Sequence, residues 1–320
     1  MVIQRDPASA HLGSAGAFAR YSRWYPNTPN LLALAGGSSA PDASDEFQKA
    51  WIARAAPPAL PDARYLLVRG LFGALIPGHF RAARRALRDA GLRVDIAPGN
   101  PLGLIDDNVA RLVAYFRACA CDDRPLIILA HSRGGLESLL ALQAIASRRR
   151  LNAAIVLCQT ARAPSPALHE ILVGTRWSER PLRLALRAGG ALPACREIDD
   201  PATGARARSL DDTVSALPAI SVATWSAQPS RSLEAQHVRI GRLAPGVAHD
   251  GLFFTQDLIW PTATQVLLAD VDHAQPGVGG GGFDSGRFWL TLAALAARRF
   301  GTQLLHQRSS AGSESSAAAG

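Results

Sequence analysis

The middle of the chain alternates between short apolar runs and segments whose apolar residues have helical spacing. The apolar runs at residues 65–68, 126–130 and 151–158 predict buried strands, and residues 92–97 alternate with the period of two that is typical of a strand. A segment with helical spacing follows each of the first three strands. This order predicts an α/β fold, with a mostly parallel central sheet that is covered by helices on both faces.

Residues 160–217 interrupt this rhythm. They are rich in proline and contain short amphipathic pieces without a clear strand. We expect a helical insertion that forms a cap or lid over the sheet, and an ordinary helical connector is the alternative. The strand pattern then resumes at residues 219–225 and 265–270, and a last helix is predicted from Asp284 or Ser285 to about Arg299.

The two ends of the chain differ in composition from the middle. Gly, Ser, Ala and Pro are frequent in residues 1–60, which predicts an N-terminal extension that packs on the core or is mobile in part. Residues 61–305 form the predicted α/β domain, including the insertion. Residues 306–320 are rich in Ser, Ala and Gly, which predicts a disordered tail.

Composition narrows the classes of function. The 320 residues carry a net charge of +8, almost all of it from arginine, but the arginines are scattered along predicted helices with few aromatic residues between them. This pattern favours a solvated surface over a nucleic-acid site. No uninterrupted apolar run approaches the roughly 18 residues of a membrane span, so we expect no integral membrane segment and leave peripheral contact with lipid open.

Other features of composition bear on location and on metals. The N-terminal residues lack the pattern of a secretory signal, which predicts a cytoplasmic protein. The four cysteines lack CxxC spacing, so the sequence predicts neither a metal site nor a disulfide framework. The oligomeric state is left open.

The strongest candidate for chemistry is Ser132, in the stretch Pro125–Leu142. A buried strand runs into the tight turn His-Ser-Arg-Gly-Gly, which opens a helix. Such a turn exposes a serine hydroxyl beside the unpaired N–H groups of a helix N-terminus, and a nucleophile needs both. The alternative is that Ser132 merely caps the helix.

A serine nucleophile needs a base and an orienting carboxylate. The candidate bases are the histidines outside the predicted tails and outside the turn around Ser132: His79, His169, His237, His249 and His273. His273 is favoured because it follows the last strand, at the sheet edge where that turn opens. The candidate acids are Asp250, Asp257, Asp270 and Asp272. Asp250 is favoured because it lies in an Asp-Gly turn, whereas Asp270 and Asp272 are very near His273 in sequence.

These motifs resemble those of the α/β-hydrolase superfamily, and in particular its bacterial lipase and esterase branch. The turn around Ser132 is similar to the nucleophile elbow G-x-S-x-G, with Ala130 in place of the first glycine. The chain order Ser132, Asp250, His273 is that of the superfamily. The loop Arg69-Gly-Leu-Phe-Gly73 resembles the lipase oxyanion loop, with Arg in place of His. The resemblance implies a catalytic triad of those three residues and an oxyanion hole formed by the N–H groups of Leu71 and Arg133.

The resemblance also implies an activity. It implies a cofactor-free hydrolase that cleaves small carboxylic esters through an acyl-enzyme, with an apolar or lipid-like acyl group. Phe72 and Phe253 are candidates for binding that group, or they belong to the core. Two alternatives remain: an acyltransferase or thioesterase with the same triad, and a non-catalytic binding protein of the same fold.

Overall fold

The computed structural model describes residues 25–34, 41–53, 60, 62–119, 124–146, 151–174 and 179–317, with backbone alone for Leu32 and residues 306–317. Within these residues the strands form one sheet in the order β2-β1-β3-β4-β5-β6, and all neighbouring strands are parallel. The strands are β1 (Arg64–Val68), β2 (Arg93–Ile96), β3 (Leu126–His131), β4 (Ala153–Cys158), β5 (Ala219–Trp225) and β6 (Thr264–Ala269). The predicted mostly parallel sheet is therefore confirmed.

Helices connect the strands, and a short 3₁₀ turn (Thr255–Leu258) precedes the last strand. They are α1 (Leu31–Leu34), α2 (Ser44–Ala53), α3 (Arg81–Asp89), α4 (Ile105–Cys119), α5 (Arg133–Ala146), α6 (Pro166–Val173), α7 (Arg180–Ala188), α8 (Leu192–Asp199), α9 (Pro201–Arg208), α10 (Asp211–Ser215), α11 (Glu234–Leu243), α12 (Gln275–Val278) and α13 (Ser285–Ala317). The five helices α6 to α10 make up most of the predicted insertion, between β4 and β5. No described helix combines the length and the apolarity needed to cross a lipid bilayer.

Both faces of the sheet are buried. Successive side chains of a strand point to opposite faces, so Tyr65 and Leu67 of β1 join one apolar cluster, and Leu66 and Val68 join the other. Helices α2, α3 and α13 cover the first cluster, and α4, α5 and α10 cover the second. This arrangement explains why the strands read as continuous apolar runs in the sequence.

Part of the predicted N-terminal extension packs on this core. The N–H of Gln265 in β6 donates to the carbonyl of Pro41, and the N–H of Ala43 donates to the carbonyl of Gln265, both at 2.8 Å. These bonds occupy the outer edge of β6, which would otherwise be an unpaired sheet edge. Phe47 of α2 is fully buried and packs edge-to-face on Phe288. Residues 1–24 of the predicted extension lie outside the described residues.

The last helix is longer than predicted. The pattern predicted an end near Arg299 and a disordered tail over residues 306–320, whereas the helix continues to Ala317. Gln, Arg, Glu and Ala in this segment have a high intrinsic preference for a helix, and a helix that the core has already nucleated can extend through residues of weaker preference such as Ser.

The strand order places one crevice at the carboxyl edge of the sheet. The chain leaves β1 for the edge strand β2 and then returns past β1 to form β3, so its direction reverses between β1 and β3. Val68 pairs with Ala130, so these two strands end at the same level. Ligands of open parallel sheets bind at such a reversal, and Ser132 follows β3 there.

Candidate active site

Ser132 lies in a strained turn between β3 and α5. Its φ angle is +56°, in the left-handed region that few residues other than glycine adopt. A Cβ atom added at Gly134 would lie 2.5 Å from the carbonyl oxygen of Arg69, and one added at Gly70 would lie 2.9 Å from the Cβ of Ser132. Glycine at both positions therefore lets the loop after β1 approach the turn. The predicted strand-turn-helix is present, with Ala130 buried in β3.

His273 lies between Ser132 and Asp250. Its Nε2 is 2.9 Å from the Oγ of Ser132, and its Nδ1 is 2.6 Å from the Oδ2 of Asp250. An ionised carboxylate only accepts hydrogen bonds, so Nδ1 carries the proton and the lone pair of Nε2 faces the serine hydroxyl. The structure thus brings together the three residues that the sequence selected.

The carboxylate of Asp250 is fully buried and held in one orientation. Its Oδ1 accepts the backbone N–H groups of Leu252 and Phe253, both at 2.9 Å. The carbonyl oxygen of Asp250 also accepts the N–H of His273 at 2.8 Å. The Asp-Gly turn therefore binds one carboxylate oxygen and leaves the other for the imidazole.

Asp272, the competing acid, has a different role. Its Oδ1 accepts the N–H groups of Ala274 at 2.9 Å and Gln275 at 3.0 Å, and its Oδ2 accepts the N–H of Ser230. These bonds shape the loop that carries His273 and the start of α12. The other two candidate acids do not contact His273 in the described structure: Asp257 is half-buried near Arg162 and Arg208, and Asp270 directly follows β6.

None of the remaining candidate histidines lies between Ser132 and a carboxylate in the described structure. His169, in the insertion, is 3.1 Å from Asp199. His79 and His249 are buried, and burial is the main cause that lowers the pKa of each to about 4. The ring of His237 lies 4.3 Å from that of His249, centroid to centroid, and adds to the lowering there.

Two polar residues that the sequence reasoning missed lie directly behind His273. The Nε2 of His131 is 3.0 Å from the side-chain oxygen of Gln159 and 3.1 Å from the carbonyl oxygen of His273. The side-chain amide of Gln159 donates to the carbonyl of Asp272 at 2.9 Å. Both bonds support the backbone of the His273 loop. The only signal in the sequence was the position of Gln159, a polar residue directly after the buried strand β4.

Two backbone N–H groups near Ser132, one in the loop after β1 and one in the first turn of α5, are candidate donors to an oxyanion. In the part of the chain that the structure describes, neither Leu71 nor Arg133 donates its backbone N–H to an acceptor. The loop itself is ordered, because Gly73 donates to the carbonyl of Gly70 at 3.1 Å and Phe72 donates to the carbonyl of Pro101 at 3.1 Å. Unsatisfied N–H groups beside a nucleophile can stabilise a negative oxygen.

A small cavity opens beside Ser132. Its volume is about 30 Å³, and most of its walls are apolar. It is lined by Ser132, Arg133, Leu136, Ala161, Ala163, Ile198, Thr203, Gly204 and Phe253. Five of these residues belong to the predicted insertion, which therefore forms one wall of the cavity. Of the two phenylalanines that the sequence analysis selected, Phe253 lines the cavity, and Phe72 is not among the described residues that line it.

Solved structures share this architecture. The crystal structure of a metagenomic carboxyl esterase matches with a TM-score of 0.64 at 17% sequence identity, over 88% of this chain and 99% of the esterase chain. The mature form of the lipase BlEst2 from Bacillus licheniformis matches with a TM-score of 0.52 at 16% identity, over 77% of this chain and 94% of the lipase chain. No protein-family model and no curated protein sequence matches the chain. The parallel six-stranded sheet, its strained turn after β3 and its likeness to these two structures together show that the chain has the α/β-hydrolase fold.

Proposed function

We propose that the protein is a serine hydrolase that cleaves carboxylic esters through an acyl-enzyme on Ser132. The observation that carries the proposal is the uninterrupted path from the Oγ of Ser132 through the ring of His273 to the carboxylate of Asp250, with contacts of 2.9 Å and 2.6 Å. Three residues distant in sequence meet at the edge of the sheet where ligands of this fold class bind. A binding protein would not need this combination.

The proposed reaction has two halves. In the first, the Oγ of Ser132 attacks the ester carbonyl carbon while Nε2 of His273 takes its proton, and His273 then gives that proton to the leaving alkoxide. In the second, His273 takes a proton from water, the hydroxide attacks the acyl carbon, and the proton returns to Ser132 as the acyl–oxygen bond breaks. Asp250 keeps the imidazole in the required tautomer, and the N–H groups of Leu71 and Arg133 stabilise the oxyanion of each tetrahedral intermediate.

The acyl group is proposed to be apolar and short. Leu136, Ile198 and Phe253 line the cavity that Ser132 and Arg133 share, so a group bonded to Oγ enters apolar surroundings. The cavity is small, at about 30 Å³, which favours short acyl groups such as acetyl or propionyl over the long chains that the lipase resemblance implies.

A fluorophosphonate probe tests the nucleophile. We expect covalent labelling of the wild type, and loss of both labelling and p-nitrophenyl acetate turnover in Ser132→Ala. Ser138→Ala is the matched control, because Ser138 is a buried serine of α5, the helix that follows Ser132, and its hydroxyl donates to the carbonyl of Gly134. Equal labelling of wild type and Ser132→Ala would refute the assignment. The ratio of acid to transesterified product in added alcohol distinguishes a hydrolase from an acyltransferase.

A further inference from the structure

The side chain of Arg133 is buried, although its backbone N–H is the proposed oxyanion donor. Only 3% of the side chain is exposed, and its Nε forms an ion pair with the Oε1 of Glu137 at 3.0 Å. Its Nη1 donates to the carbonyl of Gly103 at 2.9 Å. Arg133 therefore joins the first turn of α5 to the loop of residues 100–103, which precedes α4.

Glu137 continues this connection to the same loop. Its Oε1 accepts the side-chain amide of Asn108 at 2.9 Å. Asn108 accepts the N–H of Asn100 at 2.8 Å and donates to the carbonyl of Asn100 at 3.1 Å. That carbonyl also accepts the N–H of Gly103 at 3.1 Å. The contacts close a circuit of five residues, which we call the polar ring: Arg133, Glu137, Asn108, Asn100 and Gly103. Four of them are buried, and Asn100 is exposed.

The loop in this ring also holds the second oxyanion donor. The carbonyl of Pro101 accepts the N–H of Phe72, the neighbour of Leu71, at 3.1 Å. Phe72 has a φ angle of +61°, a strained conformation that needs support from outside the loop. Residues 100–103 therefore contact the segments that carry both donors. They bind the side chain of Arg133, and they accept a backbone bond from Phe72, the neighbour of Leu71.

Stability does not explain why charged groups occupy this place. A buried ion pair contributes little to stability on balance, and apolar residues of similar volume often replace one without loss. Burial raises the pKa of Glu137 to about 7, which shows that the site disfavours the charge that it holds. The ring can instead fix the positions of the two N–H donors. Oxyanion donors act only when they are held at the right distance from the developing charge.

We propose that Arg133, Glu137 and Asn108 are positioning residues, whose side chains set the spacing of the two oxyanion donors without touching the substrate. The inference rests on the proposed function, because it assigns a role in stabilising the intermediate of that reaction. It gives the Arg133 side chain a positioning role, whereas the backbone N–H of the same residue is the proposed donor to the oxyanion.

Glu137→Gln tests the ring with little change of shape. We expect kcat for p-nitrophenyl acetate to fall by about 10- to 100-fold, because misplaced donors lose stabilisation of the oxyanion, and KM to change by less than about twofold. A trifluoromethyl ketone forms an oxyanion on the serine, so its inhibition constant should rise by the same factor as kcat/KM falls. Each kcat is expressed per active site titrated with the fluorophosphonate, so unfolded protein does not count.

A second variant separates geometry from stability. Arg133→Met/Glu137→Leu replaces the ion pair by apolar groups, and we expect its thermal midpoint to equal or exceed that of Glu137→Gln while kcat stays low. Glu179→Gln is the control, since Glu179 forms a comparably buried pair with Arg239 away from Ser132, at 2.6 Å. It should lower the thermal midpoint and leave kcat unchanged.

The outcomes distinguish the two proposals. A wild type that neither reacts with the probe nor cleaves esters refutes the proposed function itself. An active wild type refutes the positioning role if Glu137→Gln keeps its kcat, if the double variant regains wild-type kcat, or if the ketone binds all variants equally.

Discussion

At the scale of single residues, the two oxygens of the Asp250 carboxylate have different partners, and this difference predicts the effect of an amide there. Oδ1 accepts two backbone N–H groups and Oδ2 faces Nδ1 of His273. In Asp250→Asn the amide oxygen should stay on the two N–H groups, which turns the NH₂ toward the imidazole. His273 would then carry its proton on Nε2, where it cannot accept the serine proton. We expect kcat for p-nitrophenyl acetate to fall by about three to four orders of magnitude.

Asp272→Asn is the matched comparison for that experiment. The carboxylate of Asp272 accepts only backbone N–H groups among the described residues, from Ala274 and Gln275 in its own loop and from Ser230 in the loop after β5. An amide there places NH₂ against the N–H of Ser230. We expect a lower thermal midpoint and a kcat per titrated site within about tenfold of wild type. An equal or larger loss of kcat than in Asp250→Asn would contradict the choice of acid.

The residues of the site differ in how far the sequence could reveal them. Ser132 and His273 follow the strands β3 and β6, and Asp250 lies in the connection between β5 and β6, after α11. Strand ends of a parallel sheet meet at one edge, so the order of these residues along the chain was informative. Arg133 and Glu137 are spaced i, i+4 on a helix, a pattern that is typical of an exposed ion pair. Their burial depends on residues 100–103, which are distant in sequence, so no local pattern could predict the ring.

At the scale of elements, the insertion of residues 160–217 is fixed to the helix α4. The Oε2 of Glu197 in α8 accepts the N–H of Ile105 at 2.8 Å, and Arg206 in α9 pairs with Asp106 at 2.7 Å. A carboxylate at a helix N-terminus satisfies an open N–H group and complements the helix dipole. These contacts keep α8 and α9 over the cavity beside Ser132, which supports the proposal that the insertion acts as a cap.

The size of the cavity predicts a preference for acyl length, and Ile198 of α8 controls it. Wild-type kcat/KM should fall from p-nitrophenyl acetate to butyrate and octanoate, since the small cavity leaves little room for the longer chains. Ile198→Ala removes three carbon atoms from one wall, so the ratio of butyrate to acetate kcat/KM should rise by about tenfold. The measurement is a panel of p-nitrophenyl esters of graded length.

Leu184→Ala provides the control for this panel, because Leu184 lies in α7 of the same insertion but is 59% exposed. It should leave the ratio unchanged. A wild type that prefers octanoate, or an Ile198→Ala variant with the wild-type ratio, would contradict the assignment of this cavity to the acyl group.

At the scale of the whole molecule, local sequence patterns predicted the strands of the sheet but not the N-terminal segment that pairs with its outer edge. Buried strands and amphipathic helices leave periodic signals, and the parallel order follows from their alternation. Residues 41–44 pair with β6 across more than 220 positions of sequence, as in the bond from Leu267 to the hydroxyl of Ser44. A contact of that kind depends on which edge remains open after the sheet has formed.

Buried neutral histidines make the stability of the whole molecule depend on pH. The pKa of His249 is lowered from 6.5 to about 4, chiefly by burial and further by His237, while Asp250 acts in the opposite direction. Between these two pH values the unfolded chain binds a proton at this residue and the folded chain does not, so stability falls as the pH falls. Glu137 and Asp257, whose pKa values burial raises to about 7 and about 6, act with the opposite sign.

His249→Gln isolates one of these contributions, because the other groups are the same in both proteins. From pH 7 to pH 5 a single group with these pKa values removes about 2 kcal/mol of stability, so the loss over this interval should be smaller by about 2 kcal/mol in the variant. The free energy of unfolding from urea titrations at the two pH values measures it. Ser221→Ala is the control, since Ser221 is equally buried, accepts the N–H of Trp260 and does not titrate in this range. The difference in free energy of unfolding between Ser221→Ala and wild type should be the same at pH 7 and pH 5. If the difference between His249→Gln and wild type were also the same at the two pH values, protonation of His249 would not be a cause of the loss of stability at low pH.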